Sequence, residues 1–309
     1  MELRDLVYFL ACLDEGHLTR AAAHLHVAQP TLSHALSRLE AEAGEALLDR
    51  PRKGRPRILP TAAGRLLEQR ARRAISEVRG FSDDLSALRG VLVGQVRIGS
   101  MQTLNSTILP VPLAAFAVKH PGVQISLHTL AAEAIPDALT EGRVDIGLLA
   151  GAPASALAAL AIERLCSEEL VLVVRATDPL AKRRQIPLAQ LKRQQFVMVL
   201  PGTFTHAIIV EACRRAGFTP ETRLALESGE AIREVVRAGL GVTILPSGYI
   251  DGRDDSLRAV RLIQPTPRRE VLAAFDPRSV GTAAARAFVA SLKQHFAPAP
   301  RTPRQYATK

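Results

Sequence analysis

Cysteine is scarce: three thiols, Cys12, Cys166 and Cys213, stand in 309 residues with no Cys-x-x-Cys spacing. That excludes a disulfide-built scaffold and argues against a structural zinc site. No run reaches the roughly 18 apolar residues of a membrane-spanning helix. The amino terminus, MELRDLVYFLACLDEG, carries acids inside its apolar stretch and lacks the basic start of a signal peptide, so a cytoplasmic location is expected. The motifs of common catalysts are missing too: no P-loop, no Gly-x-Gly-x-x-Gly, no Gly-x-Ser-x-Gly and no His-Glu-x-x-His. No catalytic residue, cofactor or metal is therefore assigned. His24 and His26 lie two apart on one helix and do not share a face.

Hydrophobic residues make up 47% and charged residues 23%, an ordinary globular balance. The length suits about two domains of roughly 150 residues. Net charge is +10, yet residues 1–90 hold 14 Lys+Arg against 12 Asp+Glu, so bulk charge does not locate a nucleic-acid surface. One local run does stand out. Arg50-Pro51-Arg52-Lys53-Gly54-Arg55-Pro56-Arg57 places five cations in eight residues with no acid.

The first 60 residues read as short helices. Leu3, Leu6, Phe9, Leu10 and Leu13 give one apolar face, and Gly16 ends it. A second helix spans about 18–25. Pro30 suits the first turn of a third, running to about Ala43, with Leu32, Leu36 and Leu39 as its stripe. Two short helices, a tight turn and a polar-faced third helix make a helix-turn-helix, and the basic run after it reads as a wing. Such a helix fits the major groove. Gln29 can pair with adenine, the Thr31 methyl can touch a thymine methyl, and Pro30 starts the helix there. Ser33 and His34 can reach several base edges. Arg38, further along, suits phosphate, as do Arg50, Arg52, Lys53, Arg55 and Arg57.

Between residues 61 and 88 there is no proline. Leu67, Ala71, Ala74, Val78, Phe81, Leu85 and Leu88 step by 4, 3, 4, 3, 4, 3, a heptad seam. Its two readings are a dimer helix or a long helix packed on its own domain; regularity favours the dimer helix. Residues 90–94 form a hinge. Strands are expected at 95–99, 123–127, 144–149, 169–175, 196–200, 223–226 and 242–245. Helices are expected at 107–119, 135–141, 206–216, 230–238 and 283–295. This alternation implies an α/β fold with a largely parallel sheet, as one large unit or as two sub-domains with a cleft. The last ten residues, PRTPRQYATK, are expected to be disordered.

The whole resembles the LysR-type transcriptional regulators. The residues that carry the resemblance begin with Phe9 to Glu15, Leu18-Thr19-Arg20-Ala21-Ala22 and Leu25-His26-Val27. Gln29-Pro30-Thr31-Leu32-Ser33, Arg38-Leu39-Glu40, Leu47-Leu48-Asp49-Arg50 and Leu59-Pro60-Thr61-Ala62-Ala63-Gly64 follow. Gly94 to Gly99, His120 to Val123, Gly142 to Gly147, Ala216-Gly217-Phe218 and Ala238 to Val242 extend it over nearly the whole chain. The resemblance implies a winged helix-turn-helix over 1–60, a coiled-coil linker helix over 61–89 and an effector domain over 90–309. That domain would resemble type 2 periplasmic binding proteins. Sub-domain I would cover 91–163 and 267–297, sub-domain II 164–266, with a tail at 298–309. The implied partners are promoter DNA, a small-molecule effector, the chain itself as homodimer or homotetramer, and RNA polymerase, with no membrane. The implied function is sequence-specific transcription regulation. The alternatives are a cytoplasmic small-molecule binding protein or enzyme with a helical assembly domain, and an architectural DNA binder.

Ser100, Met101, Gln102 and Thr103 follow the first effector-domain strand, where hydroxyls and free N–H groups suit an anion such as a carboxylate. Gly202, Thr203, Phe204 and Thr205 offer the same chemistry from the other sub-domain, and Leu130 and Ala150 stand at strand ends. Two departures from the family pattern stand out. Ala28 occupies a place where the family often has a capping Ser, and His34 one where Gln or Arg is common. Peroxide-sensing relatives use a cysteine pair on the helix of Cys213, but nine residues before it stands Phe204, which argues against thiol sensing. Cys12 and Cys166 sit in apolar patterns and read as core.

Overall fold

In the computed structural model the described residues are 1–49, 57–151, 157–250, 255–279 and 281–297. The wing residues Arg50, Arg52, Lys53 and Arg55, and the tail, lie outside them.

Three helices open the chain: α1 (Leu3–Glu15), α2 (Leu18–His24) and α3 (Gln29–Ala43). Gly16 and Gly44 end α1 and α3 in the left-handed conformation, at φ 67° and 71°. Leu6, Phe9, Leu32, Leu36 and Leu39 form their shared core. A short antiparallel pair follows, β1 (Leu48–Asp49) with β2 (Leu59–Pro60).

Helix α4 (Ala62–Leu88) is capped by Thr61, whose hydroxyl accepts the Gly64 N–H at 3.0 Å and donates to Ala46 O at 2.6 Å. Gly64 is obligatory there, because a Cβ would lie 2.0 Å from the Leu47 carbonyl oxygen. One face of α4 is polar and docks on the chain's own second half. Arg73 pairs with Asp276 at 3.1 Å and also donates to Thr140 O. Ser279 Oγ donates to Glu77 at 3.4 Å, and Asp84 accepts from Ala283 N and Arg286. Another face is apolar and bare: Leu66, Val78, Phe81 and Leu88 are 60%, 52%, 66% and 84% exposed, and Leu85 and Ala74 are exposed as well. Ala71 departs from the expected seam. It is 1% exposed, packed with Ile75 against the amino-terminal helices, so it faces its own chain; Leu67 is half-buried against the same cluster. A 3.6-residue period drifts around a straight helix relative to a seven-residue repeat, which puts the early seam positions on the inner side.

Beyond the hinge lie β3 (Gly94–Ser100), α5 (Gln102–Thr107), α6 (Pro110–Lys119), β4 (Val123–Thr129), α7 (Ile135–Thr140) and β5 (Ile146–Ala150). Then come β6 (Ala161–Arg175), β7 (Gln185–Pro187), β8 (Gln195–Val199), α8 (Phe204–Arg215), β9 (Glu221–Leu226), α9 (Gly229–Arg237) and β10 (Thr243–Pro246). β11 (Leu257–Ile263), β12 (Arg268–Phe275) and α10 (Ala283–Phe296) close the chain. The main sheet has the order β4-β3-β5-β12-β6-β11-β7, with β10 also on β6, and β8-β9 form a separate parallel pair. The expected largely parallel sheet is corrected: β12 runs antiparallel to β5 and β6, and β6 antiparallel to β10 and β11.

Two crossings explain this. β6 pairs with β12 through residue 169, then with β10 and β11 from residue 170 onward, so it crosses from one half of the sheet to the other. The passage from β11 to β12 returns. Two apolar cores result. One gathers Val96, Ile98, Phe116 and Phe288, the other Leu172, Phe196, Ile209 and Ile232. β6 is eight residues longer than expected at its start, because Glu163, Arg164 and Glu168 break the apolar run there. The sequence pattern does not predict β7, β11 or β12. The expected helix at 107–119 is α6, which opens three residues later on Pro110, and α5 before it is not predicted by the sequence pattern. Among the described residues no helix is long and apolar enough to cross a membrane.

Candidate nucleic-acid interface and ligand cleft

Helix α3 buries Leu32, Ala35, Leu36 and Leu39 and leaves Gln29, Pro30, Thr31, His34 and Arg38 exposed, with Ser33 half-buried. The structure thus brings the expected base-reading residues onto one end of one exposed face. Gln29 Oε1 accepts from Thr19 Oγ1 at 3.3 Å, which ties the start of α3 to α2. Ala28 is the N-cap and supplies no side-chain acceptor, so the family's usual cap is missing in fact as well as in sequence. The turn between α2 and α3 holds His26 at φ 54°, a left-handed conformation without glycine. Arg38 is already engaged. Its Nη2 donates to Asp5 Oδ1 at 2.6 Å, and Asp5 is 1% exposed. Arg38 therefore fastens α3 to α1, a role that spacing alone does not reveal. Arg57, at the described edge of the wing, lies over Gly16.

The second site stands where strand ends converge. β3, β4 and β5 run parallel, and their carboxyl ends deliver Ser100, Leu130 and Ala150. Open α/β sheets bind ligands at that edge. Leu130 N donates to Ser100 O at 2.9 Å, and Ala150 N to Met101 Sδ at 3.2 Å, so these expected residues form one wall. Ser100 and Ala150 are fully buried in it. Gln102 is exposed, and its Nε2 donates to Ser106 Oγ at 3.2 Å. The opposite wall follows the parallel pair β8 and β9. Gly202 and Thr203 are exposed there, and Thr205 is buried. The Thr203 hydroxyl is spent locally: it accepts the His206 N–H and donates to Leu200 O, capping α8.

Phe204 reaches across. A Cβ on Gly151 would lie 1.9 Å from Phe204 Cδ1, so the ring rests on the backbone at the end of β5. Gly151 itself has φ 82°. Below that contact Thr103 Oγ1 accepts from Arg269 Nη1 at 3.2 Å, and Arg269 Nε donates to Glu168 at 2.9 Å. Glu230 at the start of α9 bridges as well. Burial opposes its ionisation, but hydrogen bonds from Ser106 and Ser228 prevail and hold its carboxyl below the usual range. Sequence reasoning misses Arg269, Glu168, Glu230 and Ser106. The one signal is a charged doublet opening an apolar run, as in Glu168-Glu169 before LVLVV and Arg268-Arg269 before Glu270 and VLAAF.

Burial raises the Cys213 thiol to about 12 and that of Cys12 to about 11, and both side chains are fully buried. Cys166 is half-buried, with its thiol also raised to about 11, chiefly by burial. No group of three or more His, Cys, Asp or Glu suited to a metal occurs among the described residues.

Comparison with known proteins gives two family matches. Residues 3–65 match the bacterial regulatory helix-turn-helix protein, lysR family, and residues 89–297 match the LysR substrate binding domain. The DNA-binding transcriptional dual regulator OxyR of Escherichia coli K12 is 30% identical over 281 residues, 90% of each chain. A full-length OxyR from Pseudomonas aeruginosa superposes with a TM-score of 0.76 at 23% identity, covering 96% of this chain and 94% of that one. Full-length CbnR complexed with its target DNA has a TM-score of 0.58 at 26% identity, covering 95% of this chain and 99% of the other.

Proposed function

This chain belongs to the LysR family of transcriptional regulators, and we propose that it reads promoter DNA with α3 while a small organic anion in the cleft sets its geometry on that DNA. The observation that carries the reading is the exposed row of Gln29, Thr31 and His34 above a fully buried Leu32 and Leu39. A helix so mounted presents its amino-terminal side chains to base edges. Gln29, Thr31, Ser33 and His34 supply base contacts. Arg50, Arg52, Lys53 and Arg55 supply phosphate contacts, which give affinity more than sequence choice. Arg38 contributes through the seating of α3.

The division of labour is 1–60 for DNA binding, 61–89 for assembly and 90–309 for the effector, with sub-domains meeting at β6 and at the β11–β12 passage. Val78, Phe81, Leu85 and Leu88 supply the face on which a second copy pairs, as homodimer or within a homotetramer, in the cytoplasm. RNA polymerase is the partner downstream. Ser100 to Thr103, Leu130, Ala150 and Gly202 to Thr205 enclose the effector.

The test is a gel shift against DNA upstream of the chain's own gene across a salt series. Specific retardation with a steep salt slope supports the reading. Absence of binding at low salt overturns it in favour of a small-molecule binder with a helical assembly domain. A footprint altered by an organic acid separates a regulator from an architectural binder.

A further inference from the structure

Arg269 is the largest fully buried side chain among the described residues, and it sits at the junction of the two halves of the sheet, the inter-lobe hinge where β12 begins beside β6, rather than in either core. Its side chain is 0% exposed. Nε donates to Glu168 Oε2 at 2.9 Å and Nη1 to Thr103 Oγ1 at 3.2 Å. Nη2 lies 2.7 Å from the same Glu168 oxygen, yet outside hydrogen-bond geometry, and has no other acceptor. Glu168 Oε1 accepts the Gly248 N–H at 3.2 Å. The next residue, Tyr249, is 3% exposed with a hydroxyl that finds no partner. Thr103 belongs to the β3–β5 wall and Gly248 to the segment after β10. Glu168 stands on β6 just before it crosses between the halves, and Arg269 on β12 just after the returning passage. A single polar chain, Thr103–Arg269–Glu168–Gly248, thus spans the hinge.

A buried ion pair is a poor choice for stability alone, since well-packed apolar residues of similar volume serve as well or better. A pair that leaves one guanidinium nitrogen and a neighbouring hydroxyl unsatisfied is poorer still. Its position explains it. Arg269 is the buried cation that touches Thr103, one of the residues lining the cleft, and a guanidinium offers five donors in a fork that fits a carboxylate.

We propose that Arg269 reads the anionic effector and that Glu168 is its resident counter-ion, a carboxylate of the chain itself that holds the guanidinium until a ligand's carboxylate takes it. The proposal rests on the cleft being the effector site. Taking Arg269 from Glu168 breaks the middle link of the polar chain, so ligand recognition and release of the hinge become one event. Glu168 keeps the Gly248 N–H; the ligand takes Nε and Nη2, the two nitrogens that face Glu168, while Nη1 stays with Thr103.

Chemical rescue in the full-length protein tests it. Glu168→Ala leaves Arg269 buried without a counter-ion and lowers the melting temperature by on the order of 10 °C. Sodium acetate at ~100 mM, against acetamide in sodium chloride of equal ionic strength, is expected to restore about half of that loss, because binding to the folded form alone raises stability. It is expected to do nothing for the wild type beyond the salt effect, and nothing for Glu168→Ala/Arg269→Met. Equal acetate shifts in Glu168→Ala and wild type, or in the single and double variants, overturn the proposal. If Glu168→Ala does not fold, Glu168→Gln keeps the volume and removes the charge. Calorimetric titration should then show acetate binding about tenfold tighter than to the wild type, and equal affinities overturn the claim. These readouts involve no DNA, so a failed rescue and a failed gel shift are told apart.

Discussion

Asp84, near the end of the linker helix α4, caps the first turn of α10: its Oδ1 accepts the Ala283 N–H at 2.9 Å. Thr282 caps Ala285 from within the same turn, so two orphan amides are satisfied from two different parts of the chain. Arg286 adds a charged contact to the same oxygen at 3.0 Å. Asp84→Ala is expected to lower stability by about 1 kcal/mol, the usual cost of a lost cap, with little added for the exposed ion pair. Hydrogen exchange at Ala283 should accelerate while that at Ala285 changes less. Unchanged protection at Ala283 would mean that α10 docks without Asp84.

Ala28→Ser supplies the missing acceptor at the start of α3. The backbone already has the extended cap conformation, φ −69° and ψ 139°. A gain of about 1 kcal/mol follows, seen as a higher melting temperature. A lower one would show that the serine disturbs the α2–α3 turn.

Arg38→Met strands the carboxylate of Asp5, which is 1% exposed and has a second oxygen, Oδ2, with no partner. Because Arg38 itself is 43% exposed, the melting temperature should fall by less than the loss of a fully buried pair would cause. Its guanidinium is committed to Asp5, so the salt slope of DNA binding should change by less than the single unit expected of a phosphate contact. Gln29→Ala should instead leave stability nearly unchanged and relax choice at one base pair by about 1–3 kcal/mol.

Thiol chemistry should be silent in the folded chain. At pH 8 a thiol-specific reagent should leave Cys12 and Cys213 unmodified, and peroxide should form no disulfide through Cys213. The raised thiols also set an alkaline limit. In the unfolded chain both take the ordinary value of 9.0, whereas folding holds them at about 11 and about 12. Their contribution to stability is whole below pH 9 and is lost as pH rises through the folded values. Urea melts between pH 8 and 11.5 should show the decline, and Cys213→Ala should flatten it.

Gly151→Ala forces a methyl against the Phe204 ring at a φ that L residues rarely adopt. It should cost more than Phe204→Ala does in the same assay. The double variant should recover only the steric part, leaving about 1 kcal/mol of backbone strain. Full additivity in that cycle would place the ring away from Gly151.

Much of the architecture is legible from spacing. The helix-turn-helix declares itself through a three-to-four-residue period, Pro30 and two closing glycines, because those devices act locally. Strands β3, β5 and β8 declare themselves as apolar runs. β12 does not, since its first residues are Arg268, Arg269 and Glu270 and only the fold reveals that Arg269 is buried. The convergence of Ser100, Leu130 and Ala150 is within reach of the sequence, as parallel strands deliver their ends to one edge. The partners of those residues are not. Arg269 lies 166 positions from Thr103, and nothing in either segment points to the other. The seam on α4 shows its period in the sequence but not its direction, which is why Ala71 belongs to the inner face.

β12 starts beside Arg269 and ends one residue before Asp276, the partner of Arg73 on α4. Seven residues of extended chain span about 23 Å and stretch very little. The strand, hydrogen-bonded to β5 on one side and β6 on the other, therefore ties Arg269 to the α4 contact through continuous extended backbone. No loop intervenes between the two, so the buried cation and the linker helix share one unbroken length of sheet.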